Sequence, residues 1–247
     1  MTPAAAVDPL ATPKLLAIAG DWHANTEYAV RSIAEARRRG AETIVHVGDF
    51  GYLFASEFLE ALDAALGPVP LLFVEGNHED SDLLESIALD ERGLRHLSAR
   101  VWHLPRGFRW AWAGRTWLAC GGATSVDKQA REAGVSWWPQ EAVTDADVAR
   151  IAAEGAVDVL VSHDSPAGAD TPCDWEGRFP AEELALAAGH RERMRRLVDA
   201  VQPKRIFHGH YHTRYDTQFA GAHITGLDRD GAPLEQNLLV IDPARVI

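Results

Sequence analysis

Gly76-Asn77-His78-Glu79 follows the apolar run Leu71-Leu72-Phe73-Val74 and precedes a polar, helix-starting segment. A buried strand delivers the chain to a bend that glycine permits, where an amide, an imidazole and a carboxylate stand side by side. Two earlier stretches repeat the layout. Leu15-Leu16-Ala17-Ile18-Ala19-Gly20 ends in Asp21-Trp22-His23, and Thr43-Ile44-Val45-His46-Val47 ends in Gly48-Asp49-Phe50-Gly51. Asp21, Asp49 and Asn77 lie 28 residues apart in turn. Between them, Asn25 to Arg39 has apolar positions at helical spacing and stops at Gly40, and Ser56 to Leu66 does the same before Gly67-Pro68. Equal steps of strand, turn, helix and strand predict a parallel sheet with the three turns along one edge.

Beyond this core, Leu94 to Cys120 changes to short β-type runs, Val101 to Leu104, Phe108 to Trp112 and Thr116 to Ala119, and reads as an antiparallel meander. Trp102, Trp110, Trp112 and Trp117 recur there at alternating positions. They read as aromatic core between sheets, a base-stacking platform being the alternative. Arg100, Arg106, Arg109 and Arg115 read as solvated turn residues. Gly121 to Pro139, with a short helix around Val126 to Glu132, is a candidate site wall or lid. Thr144 is a plausible N-cap for a helix to Glu154, and the strand Val157 to Val161 then ends in Ser162-His163-Asp164. Ser165 to Pro180 reads as a long loop shaping access. A helix over Ala181 to Ala200, basic in its later half, precedes the strand Arg205-Ile206-Phe207, which delivers Gly209-His210-Tyr211-His212. Segments near Thr213 to Phe219, His223 to Leu227 and Asn237 to Ile241 are expected to close the chain as β-hairpins.

With 247 residues, 47% apolar and 24% charged, the chain can bury one large core. Residues 1–13 read as a flexible N-terminal tail and 14–247 as a single domain. No apolar run approaches the roughly 20 residues of a membrane span, and the N-terminus lacks the pattern of a signal peptide. Cys120 and Cys173 stand far apart in no metal-like spacing, which suits a reducing cytoplasm. The net charge of −12 argues against a general polyanion-binding surface.

Five strand-ending clusters remain: Asp21/His23, Asp49, Asn77/His78, His163 and His210/His212. Carboxylates, imidazoles and one amide, with no thiolate, are the ligand palette of Mn²⁺, Fe or Zn²⁺. Two ions suit the number of donors better than one. Asp49, alone in its turn, is placed to bridge them at about 3.5–4 Å, where they would share an activated water and neutralise an in-line phosphoryl displacement.

Asp21-x-His23, Gly48-Asp49, Gly76-Asn77-His78-Glu79, His163 and Gly209-His210-x-His212 resemble, in order, the signature of the calcineurin-like metallophosphoesterases, in a small bacterial or phage-type form. The resemblance implies an α/β fold, a four-layer β-sandwich of mixed sheets flanked by helices. It implies two divalent metals per chain, Mn²⁺ foremost with Fe or Zn²⁺ as alternatives. Asp21, His23 and His212 would hold one, Asn77, His163 and His210 the other, and Asp49 both. His78 would be the catalytic residue, contacting the substrate phosphate and protonating or stabilising the leaving oxygen. The implied activity is hydrolysis of a phosphodiester or small phosphomonoester, nucleotides included, by attack of metal-bridging hydroxide. A nuclease and a non-catalytic module that keeps its metals are the alternatives.

Two departures separate this chain from the protein Ser/Thr phosphatase branch. The arginines that follow Gly-Asp and Gly-Asn-His-Glu there are replaced by Gly48-Asp49-Phe50-Gly51-Tyr52-Leu53 and Glu79-Asp80-Ser81-Asp82. A phosphoprotein substrate therefore lacks its charge-assisted forks. Tyr52 stands where that branch has the acid orienting the catalytic histidine. Among other polar residues, His46, His103 and His208 read as core histidines and His96, His190 and His223 as surface ones. Asp164 and Glu79 read as a turn former and a helix N-terminal acid, with a supporting contact behind a ligand as each one's alternative. Tyr211 and Arg214 flank ligands as candidate substrate contacts.

Overall fold

The computed structural model describes residues 7–172 and 175–247. Cys173 and the first six residues lie outside the described residues. Of the segment expected as a flexible tail, Val7 and Leu10 pack against the core, and the Leu10 carbonyl accepts the Trp112 indole N–H at 2.8 Å.

The chain runs β1 (Leu16–Ala19), α1 (Thr26–Arg38), β2 (Thr43–His46), α2 (Ser56–Leu66), β3 (Leu71–Phe73), α3 (Ser81–Ser86), β4 (Arg95–Ser98) and β5 (Val101–His103). It continues through β6 (Arg109–Trp112), β7 (Arg115–Cys120), α4 (Asp145–Ala152), β8 (Val159–Ser162), α5 (Ala181–Val201) and β9 (Arg205–His208). It ends with β10 (Tyr215–Phe219), β11 (Ala222–Gly226), α6 (Leu234–Asn237) and β12 (Leu238–Ile241). Two six-stranded sheets result, ordered β12-β1-β2-β3-β5-β4 and β10-β11-β9-β8-β7-β6. In each, four inner strands are parallel and both edge strands antiparallel.

Side-chain alternation builds the layers. Leu16 and Ile18 face a core shared with Val45, Leu72, Trp117, Val159, Val161 and Phe207 between the sheets. Ala17 and Ala19 face the other way, onto Ile33 of α1 and Leu62 of α2, where small residues let the helices sit close. Leu118, Leu160 and Ile206 on the outer face of the second sheet pack on Ile151 of α4 and Met194, Leu197 and Val201 of α5. Helix, sheet, sheet, helix is the four-layer arrangement expected.

The meander is corrected. β4 and β5 close the first sheet, and β6 opens the second, so the antiparallel run divides between two sheets. The final hairpin expectation is half right: β10 and β11 pair with each other, but β12 crosses back to pair with β1. The helix expected around Val126 to Glu132 is one 3₁₀ turn at Lys128–Ala130. Trp110, Trp112 and Trp117 are buried against one another and Phe207, and Trp102 is buried under His96, which removes the base-stacking alternative. Thr144 caps α4 with a reciprocal bond from Asp147.

Candidate metal centre

Every residue singled out as a ligand follows the carboxyl end of a parallel strand: β1, β2 and β3 in one sheet, β8 and β9 in the other. That edge is where open α/β sheets carry their ligands. His23, Asp49, His210 and His212 have φ of 47°, 52°, 70° and 53°, a left-handed conformation rare for residues with a Cβ. Backbone strain of this kind persists only where the surroundings impose it. The glycines of the motifs supply room. A Cβ on Gly76 would come within 2.2 Å of Asp49 Oδ1, and one on Gly209 within 1.9 Å of Asp21 Oδ1.

The structure brings together two groups of donors. Ligand atoms of Asp21, His23, Asp49 and His212 lie within 4.8 Å of one another, as do those of Asp49, His163 and His210. Asp49 alone belongs to both. Its Oδ2 is 3.4 Å from Nε2 of His23 and 3.4 Å from Nε2 of His163, and its Oδ1 accepts the N–H groups of Asn77 at 3.0 Å and His78 at 3.1 Å. Asn77 Oδ1 lies 3.2 Å from His163 Nε2, beside the second group.

Each imidazole is aimed by what it touches behind. His163 Nδ1 donates to the Val47 carbonyl at 2.8 Å, which leaves Nε2 facing Asp49. His23 Nδ1 is 2.8 Å from Asp230 Oδ1. Asn77 donates its amide to Ser125 Oγ at 3.1 Å, and Ser125 donates to Glu141 at 2.6 Å, so the Asn77 oxygen points inward. Asp164 keeps its turn-forming role, its Oδ1 accepting the Ser165 N–H at 2.7 Å, and it touches no proposed ligand side chain but fixes two neighbours of the site. It accepts from Tyr211 Oη and from His190 Nδ1, each at 2.6 Å, and so binds the loop after β8 to the loop after β9. His190 is thereby corrected from surface to core, being fully buried on α5. Glu79 is 3% exposed and accepts from the backbone of Phe50, Gly51 and Gly76, which ties the second turn to the third.

The electrostatics fit hard cations. Burial, offset by His163 and reinforced by Asp49, raises the Asp21 carboxyl to about 7, and its Oδ1 is buried with no hydrogen-bond donor. Burial works against the charge on Asp49, yet His163 and His78 outweigh it and hold that carboxyl well below its ordinary range. Burial likewise opposes protonation of His23 and His163, but Asp49 overrides it and lifts them to about 9 and about 10. The negative charge on Asp49 that favours a proton on these imidazoles is the charge that would also draw divalent ions. Burial pushes His210 down to about 3 and His212 to about 4, so both are neutral and free to ligate.

A cavity of about 150 Å³ opens on this cluster, lined by Asp49, Asn77, His78, His210 and His212 on the sheet side. Trp175 and Phe179, from the loop expected to shape access, form its far wall, with Trp175 stacked on Tyr211 at 5.2 Å. Tyr211 lines the cavity, whereas Arg214 pairs with Asp216. Arg131, from the loop expected as a wall or lid, is a residue that sequence reasoning missed. Its Nη2 lies 2.7 Å from His78 Nε2, and its Nη1 donates to the Asn77 carbonyl at 3.0 Å. One guanidinium from a distant loop thus lines the cavity whose motifs lack arginine. Arg106, expected in solvent, is also corrected: it is mostly buried and bonds Glu75 and the Gly121 and Ala142 carbonyls.

Solved structures share this fold at low identity. The protein TT1561 of Thermus thermophilus matches with a TM-score of 0.58 at 14% identity, covering 94% of this chain and 99% of that one. A dimetal phosphatase from Danio rerio matches with a TM-score of 0.56 at 14% identity, covering 94% of this chain and 92% of that one. No curated protein sequence matches. No helix among the described residues is long and apolar enough to cross a membrane. The family model described as calcineurin-like phosphoesterase matches residues 15–214, and the chain belongs to that family.

Proposed function

We propose that this chain, acting as one domain over residues 14–247, is a dinuclear metal-dependent hydrolase of a phosphodiester or small phosphomonoester, with Mn²⁺ as its first-choice metal and Fe or Zn²⁺ as alternatives. The observation that carries the proposal is the partly buried cluster in which two sets of oxygen and nitrogen donors share only Asp49. Asp21, His23 and His212 would hold one ion and Asn77, His163 and His210 the other, with Asp49 common to both. When bound, the ions would supply Lewis-acid charge that makes water a nucleophile at neutral pH and neutralises the phosphoryl oxygens.

The remaining work falls to this chain's side chains. As a water oxygen bonds to phosphorus, the ester P–O bond breaks and the departing oxygen must gain a proton. His78, 26% exposed and 3.8 Å from Asp49 Oδ2, is the residue of the cavity wall that would protonate or stabilise the departing oxygen; burial lowers its imidazole to about 4, which favours stabilisation by a neutral ring at neutral pH. Arg131 supplies one cationic fork rather than two. A diester, with less charge on phosphorus than a monoester, suits that supply better.

Nucleic acid is the weaker substrate class. On α5, Arg191 bonds the Pro166 and Ala169 carbonyls, Arg195 pairs with Asp199, and Arg193 and Arg196 both pair with Asp145. The basic helix is thus engaged within the fold. A reducing cytoplasm suits Cys120, a buried free thiol.

The test is turnover of a bis-aryl phosphodiester, an aryl monoester, cyclic nucleotides and single-stranded DNA by metal-stripped protein given Mn²⁺, Fe²⁺, Zn²⁺ or Mg²⁺. Diester turnover with Mn²⁺ is expected, and Asp49→Ala should lose both ions and all activity. Metal analysis finding two ions on Asp49→Ala would overturn the shared-ligand assignment. Two bound ions with no ester hydrolysed would point instead to a non-catalytic module.

A further inference from the structure

Across His78 and Arg131 from the metal-centre cavity lies a second, larger one of about 380 Å³. Those two residues belong to the walls of both cavities. The rest of the second lining is Tyr52, Leu53, Ala130, Val135, Ser136 and Trp138, apolar or aromatic apart from one hydroxyl and one phenol. Leu53 comes from the turn after β2 and Val135 from the loop after β7. Each is 57% exposed, more than any other large apolar side chain among the described residues. One exposed leucine is ordinary. Two on the rim of one cavity that shares a wall with His78 describe a surface held ready for an apolar group.

Arg131 stands at the boundary and is fixed there. Its side chain is 7% exposed, and Asp127 holds the guanidinium at 2.8 Å. Its other contacts are the Asn77 carbonyl and His78 Nε2. A guanidinium held between the Asn77 backbone and His78, lining both cavities, is placed to bring positive charge to phosphoryl oxygens.

We propose that the second cavity receives the alcohol half of the substrate, that this alcohol bears a compact uncharged group that is largely apolar or aromatic, and that Arg131 positions the phosphoryl group between the two cavities. The inference rests on the phosphoesterase reading and extends it to a substrate class. In-line displacement puts the departing oxygen on the side of phosphorus opposite the attacking water. With the metal-ligand cluster on one side and His78 on the other, the atoms beyond that oxygen run into the second cavity. Its volume lies within the range of pockets that hold small organic ligands. Its lining has one charged side chain apart from the histidine, Arg131, which is committed to the boundary. A polynucleotide or a polyphosphate would bring further negative charge into this cavity with no cation to meet it.

The test compares calorimetric binding of methylphosphonate and phenylphosphonate, stable mimics that differ only in the group directed at the second cavity, to Mn²⁺-loaded protein. Phenylphosphonate should bind at least about tenfold more tightly, which corresponds to about 1.4 kcal/mol. In the Leu53→Ser/Val135→Ser double variant the ratio should fall to near one, and both positions are exposed enough to be changed without loss of the fold. Arg131→Ala should weaken both phosphonates about tenfold or more with metal content unchanged, and Arg131→Lys should restore only part of the loss. Equal binding of the two phosphonates by an active enzyme, or a ratio unmoved by the double variant, would overturn the second cavity while leaving the phosphoesterase reading intact. Arg131→Ala binding both phosphonates as the parent does would overturn the positioning role. Failure of either phosphonate to bind, together with no ester turned over, would overturn the underlying reading and this proposal with it.

Discussion

Replacing Glu79 with alanine should destabilise the protein by about 3 kcal/mol at neutral pH, and by more in mild acid. The Glu79 carboxylate is 3% exposed and accepts three backbone N–H groups, from Phe50, from Gly51 at 3.2 Å and from Gly76 at 2.6 Å. A buried donor left without a partner costs roughly 1–3 kcal/mol, so the three together cost about 6 kcal/mol. Burial, and then Asp49, raises the Glu79 carboxyl from 4.5 to about 7. The ionised form is therefore disfavoured by roughly 3 kcal/mol above pH 7, and alanine relieves that. The difference is the net cost. Because the folded value lies above the unfolded one, Glu79 contributes stability that is complete below pH 4.5 and lost as pH rises through about 7. The deficit of the alanine variant should accordingly shrink between pH 5 and pH 8. Scanning calorimetry of metal-free protein should give a Tm lowered by about 6–12 °C at neutral pH. Titration with Mn²⁺ should give an affinity about 10–100-fold weaker, because the turn holding Asp49 is released. A Tm within about 1 °C of the parent, or a deficit that grows from pH 5 to pH 8, would refute the reasoning.

Three other outcomes follow from the same geometry. His78→Ala should keep its metals and lose turnover least for esters with good leaving groups such as aryl phosphates; equal losses across leaving groups, in steady-state kinetics, would count against proton donation. In metal-free protein Asp21 is raised to about 7, His23 to about 9 and His163 to about 10. Each contributes stability that is full below its unfolded value and lost as pH climbs through its folded one, so the metal-free Tm should fall from pH 6.5 to 10 while Mn²⁺ affinity rises; a metal-free Tm that rises over this interval would contradict the charge assignment. Asp164→Ala removes the acceptor of three buried donors, His190, Tyr211 and the Ser165 N–H, and should cost about 3–5 kcal/mol in urea unfolding; a change under about 1 kcal/mol would show that the two loops hold without it.

The parallel core of the first sheet was legible because strand-helix-strand units are local: the apolar runs, the helix stops and the 28-residue steps all lie within neighbouring segments. The division of the β-type runs after Leu94 was not, since strands of the same composition pair equally well within one sheet or across two. His190 had a signal that was passed over. Ala187, Met194, Leu197, Val198 and Val201 form the buried stripe of α5, and position 190 falls on it at helical spacing. Glu79 had none, because an acid ahead of a helix satisfies its local role without burial. Here Asp80 takes the cap instead, accepting from the Leu83 N–H at 2.9 Å. Ser125, Arg131 and Asp230 sit in loops and Glu141 in the 3₁₀ turn Pro139–Glu141, all without periodicity, and only tertiary placement turns them toward the site.

The motifs themselves have a physical reason that a pattern of letters does not state. A strand end that must turn at once and aim a donor back over the sheet forces residues into the left-handed region, and His23, Asp49, His210 and His212 are all there. Such conformations cost about 1–3 kcal/mol each. Glycine at those positions would remove the strain and the donor together; ahead of Asp49 and His210 the glycine stands one place earlier, at Gly48 and Gly209, and Gly76 stands likewise ahead of Asn77, which is not in that region. At Gly76 and Gly209 a Cβ would collide with the carboxylates of Asp49 and Asp21 themselves. The pair of glycine followed by ligand is thus one device: the first residue makes the space that the second residue's partners fill. Left-handed residues also occur in ordinary turns, at Ala113, Gln202 and Ala220, but His23, Asp49, His210 and His212 are the ones that bring donor atoms to one cluster, and binding of cations gives that arrangement its reason.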